Sequence, residues 1–202
     1  MKPSHKGSAQ LFENPVLERL TKTHIALPIS IFIAFSIASI YYGFANGILN
    51  VLSAVGLFVA GWLIFTFIEY MAHRHVFHME PTNEFKKNIQ YKFHGNHHDY
   101  PKDKDRLAMP PIVSVFLGSF FFFLFKLIFG QMVFGLVAGL LFGYALYLFV
   151  HYAVHAYPPP KNFLKVLWVH HSIHHYKDPE RAYGVSSPLW DWVFGTMPVR
   201  NK

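Results

Sequence analysis

Four stretches of almost unbroken apolar residues divide this chain, and its polar residues fall between them in blocks. The stretches run from about Ile25 to Ala45, Ile48 to Ala72, Ile112 to Gly130 and Met132 to Val150. At 1.5 Å per residue, a helix of about 20 residues crosses a hydrocarbon core of about 30 Å, and each stretch is long enough. Only Asn46-Gly47 separates the first pair and only Gly130-Gln131 the second, so each pair reads as a helical hairpin. The pattern predicts an all-α integral membrane protein with four transmembrane helices in two hairpins. A short arm over residues 1–24 precedes a single membrane-embedded domain over 25–202. In the fourth helix Gly135, Gly139 and Gly143 recur every four residues, a small-xxx-small spacing that allows close helix packing in a membrane. The same interval continues through Tyr147 to His151 and His155, drifting about 40° per step, so the packed face leads toward two histidines. The run from Phe120 to Phe123 reads as lipid-facing or core filler.

Composition strengthens the membrane reading. Of 202 residues, 52% are hydrophobic and only 14% charged. Cysteine is absent, which excludes disulfides, thiolate zinc sites and iron–sulfur clusters and leaves nitrogen and oxygen as the available metal ligands. Lysine and arginine gather in the N-terminal arm (Lys2, Lys6, Arg19, Lys22), from Arg74 to Arg106 and from Lys161 onward; Lys126 alone falls within a span. By the positive-inside rule these three regions are expected on the cytoplasmic face. The net charge of +7 is mixed with acids, as between Asp99 and Arg106, and forms no stripe. It reads as an orientation signal with some attraction to anionic lipid rather than as a nucleic-acid surface. The first twenty-odd residues are polar and do not form a secretory signal.

Histidine changes the picture most. Twelve of the fourteen fall in four clusters: His73, His75 and His78; His94, His97 and His98; His151 and His155; and His170, His171, His174 and His175. Each cluster ends or separates apolar stretches, and twelve imidazoles exceed what one ion accepts, so the clusters point to two metal ions. His94, His97 and His98 stand at i, i+3 and i+4, as do His171, His174 and His175, while His151 and His155 stand at i and i+4. Those intervals bring side chains onto one face of an α-helix. His73 and His78, five apart, would lie about 140° apart on a regular helix, so that pair requires a distorted helix end. His75 would point away from His73 and is left out of the ligand set, and His5, His24 and His170 read as hydrogen-bonded structural residues.

The same residues carry a family resemblance. HRHVFH (His73 to His78), KFHGNHHDYPKDKDRLAMPP (Lys92 to Pro111), HYAVHAY (His151 to Tyr157) and HHSIHHYKD (His170 to Asp178) resemble the histidine boxes of the fatty acid hydroxylase and sterol desaturase superfamily. YGVSSPLWDWVFGT (Tyr183 to Thr196) is similar to the stretch that follows the last box, and the whole is most similar to the fatty acid 2-hydroxylases. The resemblance implies a four-helix membrane anchor carrying a cytosolic helical cap with a histidine-held dimetal centre. Carried over box by box, it implies His73, His78, His94, His98 and His174 on one metal and His97, His151, His155, His171 and His175 on the other. No catalytic residue is expected beyond these ligands. His170 falls beside its box and is expected in an outer layer, with Glu69 and Asp191 as acceptors for ligand N–H groups.

The function so implied is O₂-dependent hydroxylation of a fatty-acyl chain, expected at C2 of a fatty acid or sphingolipid acyl group. Iron is the expected metal, and zinc is a possible occupant of isolated protein because nitrogen-rich sites bind it at least as tightly. Only about two dozen residues precede the first span, too few for a haem domain, so electrons are expected from a separate protein such as cytochrome b5 or a ferredoxin. The lipid substrate is expected to come from the bilayer. With no retrieval signal at Asn201-Lys202, endoplasmic reticulum and bacterial inner membrane fit equally. Two alternatives remain: a hydroxylase or desaturase of the same superfamily acting on a sterol, carotenoid or other lipid, and a membrane metal transporter or sensor. Against the transporter, no histidine or carboxylate lies at mid-membrane depth.

Overall fold

A computed structural model describes residues 4, 7–108 and 110–199; His5 lies outside the described residues. Regular structure among them is entirely helical: α1 (Pro15–Leu20), α2 (Ala26–Ala45), α3 (Val51–Ala72), α4 (Glu84–Gln90), α5 (Asn96–Asp99), α6 (Pro111–Phe129), α7 (Val133–Ala156), α8 (Lys165–Tyr176) and α9 (Leu189–Val193). The chain divides into two compact units. One comprises Thr23–Thr66 and Ala108–Phe149, and the other Met1–Lys22, Phe67–Leu107 and Val150–Lys202. Both α3 and α7 begin in the first unit and end in the second.

The first unit is apolar inside and out. Val133, Val137 and Ala138 of α7 are almost wholly buried, while Leu52, Ile112 and Leu127 are largely exposed. A helix that is hydrophobic all round belongs in a core or in lipid. Close packing of α3 on α7 depends on glycine. A Cβ added to Gly139 would come within 1.9 Å of the Phe58 carbonyl oxygen, and one added to Gly61 within 1.9 Å of the Leu136 oxygen. Gly135 and Gly143 face Leu57 and Phe65 in the same way, so the expected glycine stripe is a packing face. Ser36 and Ser39 of α2 donate to the carbonyls of Ala138 and Phe134, both at 2.8 Å, which satisfies two hydroxyls that lipid could not. Gly130, at φ 56°, ends α6 before a single 3₁₀ turn leads into α7. Three stretches are long and apolar enough to cross a membrane: Ala26–Ala45, Val51–Phe77 and Lys104–Ala156, the last containing both α6 and α7. Helix α7 continues past the expected end at Val150 to Ala156, so His151 and His155 ride on the same continuous helix.

The second unit holds all four histidine clusters and the N-terminal arm. Asn14 caps α1 by accepting from the Val16 and Leu17 amides, with Pro15 at the first helical position. Glu18 then pairs with Arg106, whose side chain is only 4% exposed, and Lys92 lies 4.2 Å over the Phe12 ring. At the ends of α3 and α4 the backbone widens into π-helical turns, His73–Phe77 and Tyr91–Gly95. Each is closed by an i to i+5 bond: His78 N–H to the His73 carbonyl at 3.1 Å, and Asn96 N–H to the Tyr91 carbonyl. In α8 the buried positions are Leu167, His170, His171, His174 and His175, the i, i+3, i+4, i+7, i+8 stripe of an amphipathic helix. Imidazoles occupy the stripe that aliphatic residues would normally fill.

Candidate metal centre

The π turn at His73–Phe77 resolves the spacing problem in the sequence. A turn closed from i to i+5 brings residue 78 back over residue 73, and the two rings lie with centroids 5.1 Å apart. The second π turn precedes α5 and sends His94 and His98 to one side and His97 to the other. Helix α8 splits its histidines in the same way, with His174 on one side and His171 and His175 on the other.

The result is two sets of five imidazoles. His73, His78, His94, His98 and His174 each offer a ring nitrogen, and these atoms all lie within 4.8 Å of one another. His97, His151, His155, His171 and His175 form a second set with the same property. The sets adjoin, since the rings of His98 and His175 stack at 4.2 Å.

Chemistry supports a cation in each set. In the first, His94 Nε2 lies 3.0 Å from both His73 Nε2 and His98 Nε2, and His174 Nε2 lies 3.0 Å from His78 Nε2. His73 Nδ1 donates to the Tyr183 carbonyl and His174 Nδ1 to the Arg181 carbonyl at 2.8 Å. A neutral imidazole that donates from Nδ1 has only a lone pair at Nε2. Several such lone pairs converging on one point are satisfied by a shared cation and not by one another. Ions bound by imidazole at about 2.0–2.1 Å place neighbouring nitrogens about 3 Å apart, the separation found here. In the second set His151 Nε2 is 3.0 Å from His97 Nε2 and His155 Nε2 is 2.8 Å from His171 Nε2. Both ring nitrogens of His175 are buried and lack any hydrogen-bond partner among the described residues, an orphaned state that a metal bond would relieve.

Burial keeps these rings neutral. It is the largest cause in every case, reinforced by neighbouring imidazoles, that holds His94, His97, His171, His174 and His175 well below the ordinary histidine range. His98 is brought down to about 3 and His78 to about 4, again by burial first. A ring that stays unprotonated at neutral pH is ready to bind metal.

Residues 58–196 match the family model described as fatty acid hydroxylase, well over half of the chain. The chain belongs to the fatty acid hydroxylase family. Among curated proteins, the chain is 40% identical over 147 residues to the fatty acid 2-hydroxylase of Mus musculus, covering 71% of the chain and 40% of that protein. It is 34% identical over 212 residues to the ceramide very long chain fatty acid hydroxylase scs7 of Schizosaccharomyces pombe, covering 100% of the chain and 59% of the relative. The chain thus spans about half the length of the curated relatives it matches. A solved structure described as full-length scs7p with only the hydroxylase domain visible superimposes with a TM-score of 0.88 at 36% identity, over 98% of this chain and 75% of that one.

Outside the two sets, the structure corrects one expectation. Glu69 and Asp191 do not accept from the ten imidazoles directly. The acceptors for His73 and His174 are the backbone carbonyls of Tyr183 and Arg181, and the two carboxylates hold the segment that carries them. Glu69 accepts from the amides of Val185 (2.7 Å) and Ser186 (2.9 Å) and from the Ser186 hydroxyl. Asp191, fully buried, accepts from the amides of Tyr183 and Gly184, from the Thr196 hydroxyl at 2.7 Å and from His170 Nε2 at 2.9 Å. His170 therefore stands outside both sets. The physical reason is reach: a backbone carbonyl beside the ring costs less side-chain entropy than a carboxylate extended to it. Sequence reasoning missed both carbonyls; the string from Tyr183 to Thr196 was a signal for the first, and nothing in the sequence marked Arg181. Of the remaining histidines, His75 is exposed, and His24 is exposed and accepts from the Ala26 amide at 3.3 Å.

Proposed function

We propose that this chain hydroxylates a fatty-acyl chain at C2, on a fatty acid or a sphingolipid acyl group, with one metal ion in each five-histidine set. The observation that carries the reading is the pair of adjoining, cysteine-free histidine sets in a member of the fatty acid hydroxylase family. The names of the mouse and fission-yeast relatives support acyl and ceramide substrates. His73, His78, His94, His98 and His174 would hold one ion and His97, His151, His155, His171 and His175 the other, with iron as the working metal. The chemistry supplied by the bound pair is reductive activation of O₂ with electrons from a separate donor of the cytochrome b5 or ferredoxin type.

The protein's own part is positional. The carbonyls of Tyr183 and Arg181 fix which nitrogen of His73 and His174 faces inward, and Asp191 and Glu69 keep those carbonyls in place. Seven of the ten imidazoles are buried, which limits their contact with bulk water. The four apolar helices α2, α3, α6 and α7 are read as spans in two hairpins, with the histidine clusters following α3 and ending α7 on the cytoplasmic face. Acyl tails would then reach the histidine sets from the bilayer. Lipid mass spectrometry of cells expressing the chain tests this. A rise in 2-hydroxy acyl lipids is expected, abolished by His97→Ala together with His174→Ala. An unchanged 2-hydroxy pool beside altered sterols or carotenoids would overturn it.

A further inference from the structure

Hydroxylation at C2 puts the oxidised carbon one bond from the carboxyl carbon, so the head of the substrate must lie against the histidine sets. A cavity of about 650 Å³ opens there, walled on one side by His155, His171 and His175, three of the five imidazoles of the second set. Its volume is that of a small-molecule site, and seven of its twelve lining residues are apolar or aromatic. The outer wall is Tyr157, Pro158 and Pro159, facing Trp168 of α8. Trp168 Nε1 donates to the Tyr157 carbonyl at 2.9 Å, and the fixed φ of the prolines stiffens the turn, so this wall is preformed.

Besides the histidines and the aromatic residues, the lining has two polar residues: Ser172, one helical turn from both Trp168 and Tyr176, and Lys102, in the loop after His98. Among the described residues, no acidic one lines the cavity. Asp103, next to Lys102, is directed to Arg106 at 3.5 Å and so does not neutralise the lysine. An apolar cavity with one cation and no anion is complementary to a ligand that is apolar along its length and negative at its head.

We propose that this cavity holds the head of the acyl substrate and that Lys102 meets a negative charge there, so that the chain prefers an anionic acyl head over a neutral ceramide amide. The proposal rests on the acyl-hydroxylase reading and goes beyond it in naming the substrate class. The anion is the carboxylate of a free fatty acid, since the phosphate of an acyl thioester lies a whole pantetheine arm away from C2, and the thioester probe tests that choice.

The test is equilibrium binding to the metal-loaded full chain in detergent, with radiolabelled palmitate, a palmitoyl thioester bearing phosphate, and an N-palmitoyl sphingoid base as probes. Lys102→Ala is expected to weaken binding of palmitate roughly tenfold, the loss expected of one charge-assisted contact, and to leave the neutral probe unchanged. Lys102→Arg should retain binding, and added salt should weaken the anion in the wild type alone. Ser172→Trp, which puts an indole into the cavity, should weaken binding of palmitate. Binding of all probes unaltered by Lys102→Ala and Ser172→Trp, or tight binding of the neutral probe alone, would overturn the proposal. Product analysis separates the two readings. Charge-dependent binding without any 2-hydroxy product would sink the hydroxylase reading and leave the head site, whereas 2-hydroxy product formed by Lys102→Ala at unchanged KM would do the reverse.

Discussion

Asp191 does more for the histidine sets than its position in the chain suggests. It is wholly buried and takes hydrogen bonds from His170, Thr196, Tyr183 and Gly184, and the Tyr183 carbonyl in turn takes the proton of His73 Nδ1. Burial by itself would raise its pKa, but the bonds from His170, Thr196 and the Gly184 amide outweigh it and hold the carboxyl below the ordinary range. Its stabilisation is therefore present at neutral pH and lost only as pH falls through that lowered value. Asp191→Ala is expected to cost about 3 kcal/mol, read by denaturant unfolding in detergent, and to reduce metal retention. The buried imidazoles shift stability with pH in the same direction, although here it is the charged form that the fold disfavours. Their folded pKa values lie below that of free histidine, so below about pH 6.5 the unfolded chain takes up protons that the folded chain refuses. Metal-free protein should lose on the order of 1.4 kcal/mol per buried histidine per pH unit there, seen as a melting temperature that drops between pH 7.5 and 5.5; a flat profile would contradict it. At this scale the grouping of the histidines was legible because spacing on a helix is a property of sequence. The Tyr183 and Arg181 carbonyls were not, because every residue has one and only the fold selects which faces a ring.

Among the elements, α3 and α7 illustrate what a pattern does and does not convey. The Gly135, Gly139, Gly143 stripe announced close packing, and the structure supplies its partner, since Gly139 meets the Phe58 carbonyl and Gly61 of α3 meets the Leu136 carbonyl in return. Gly139→Val should therefore cost about 1–3 kcal/mol or prevent folding, because the obstacle is backbone that cannot rotate away. Gly56→Ala on the same α3, with nothing within 4 Å, should be neutral or stabilising by up to about 1 kcal/mol, and thermal unfolding of the two variants in detergent provides the comparison. The π turns were not legible. Periodicity assumes a constant pitch, and at His73–Phe77 the pitch changes because five imidazoles must meet where a regular helix would hold His73 and His78 about 140° apart. The sequence required a distortion there without saying which one.

For the whole molecule, apolar helices and a histidine-rich unit follow from one chain in which two helices, α3 and α7, run from the first unit into the second. Hydropathy marked the apolar stretches because lipid-compatible helices are hydrophobic on every face, as Leu52 and Leu127 on the outside and Val137 inside show. It said little about the histidine-rich unit, whose short helices are held by the Glu18–Arg106 pair and the Asp191 and Glu69 bonds instead of by a continuous apolar face. The claim on which the rest depends is that each five-histidine set holds one ion. Metal content per chain, measured on anaerobically purified wild type, His78→Ala and His171→Ala, tests it most directly. Two ions in the wild type and about one in each variant, with nitrogen as the protein ligand by X-ray absorption, is the predicted result. One ion or none in the wild type, or a full complement in both variants, would contradict it.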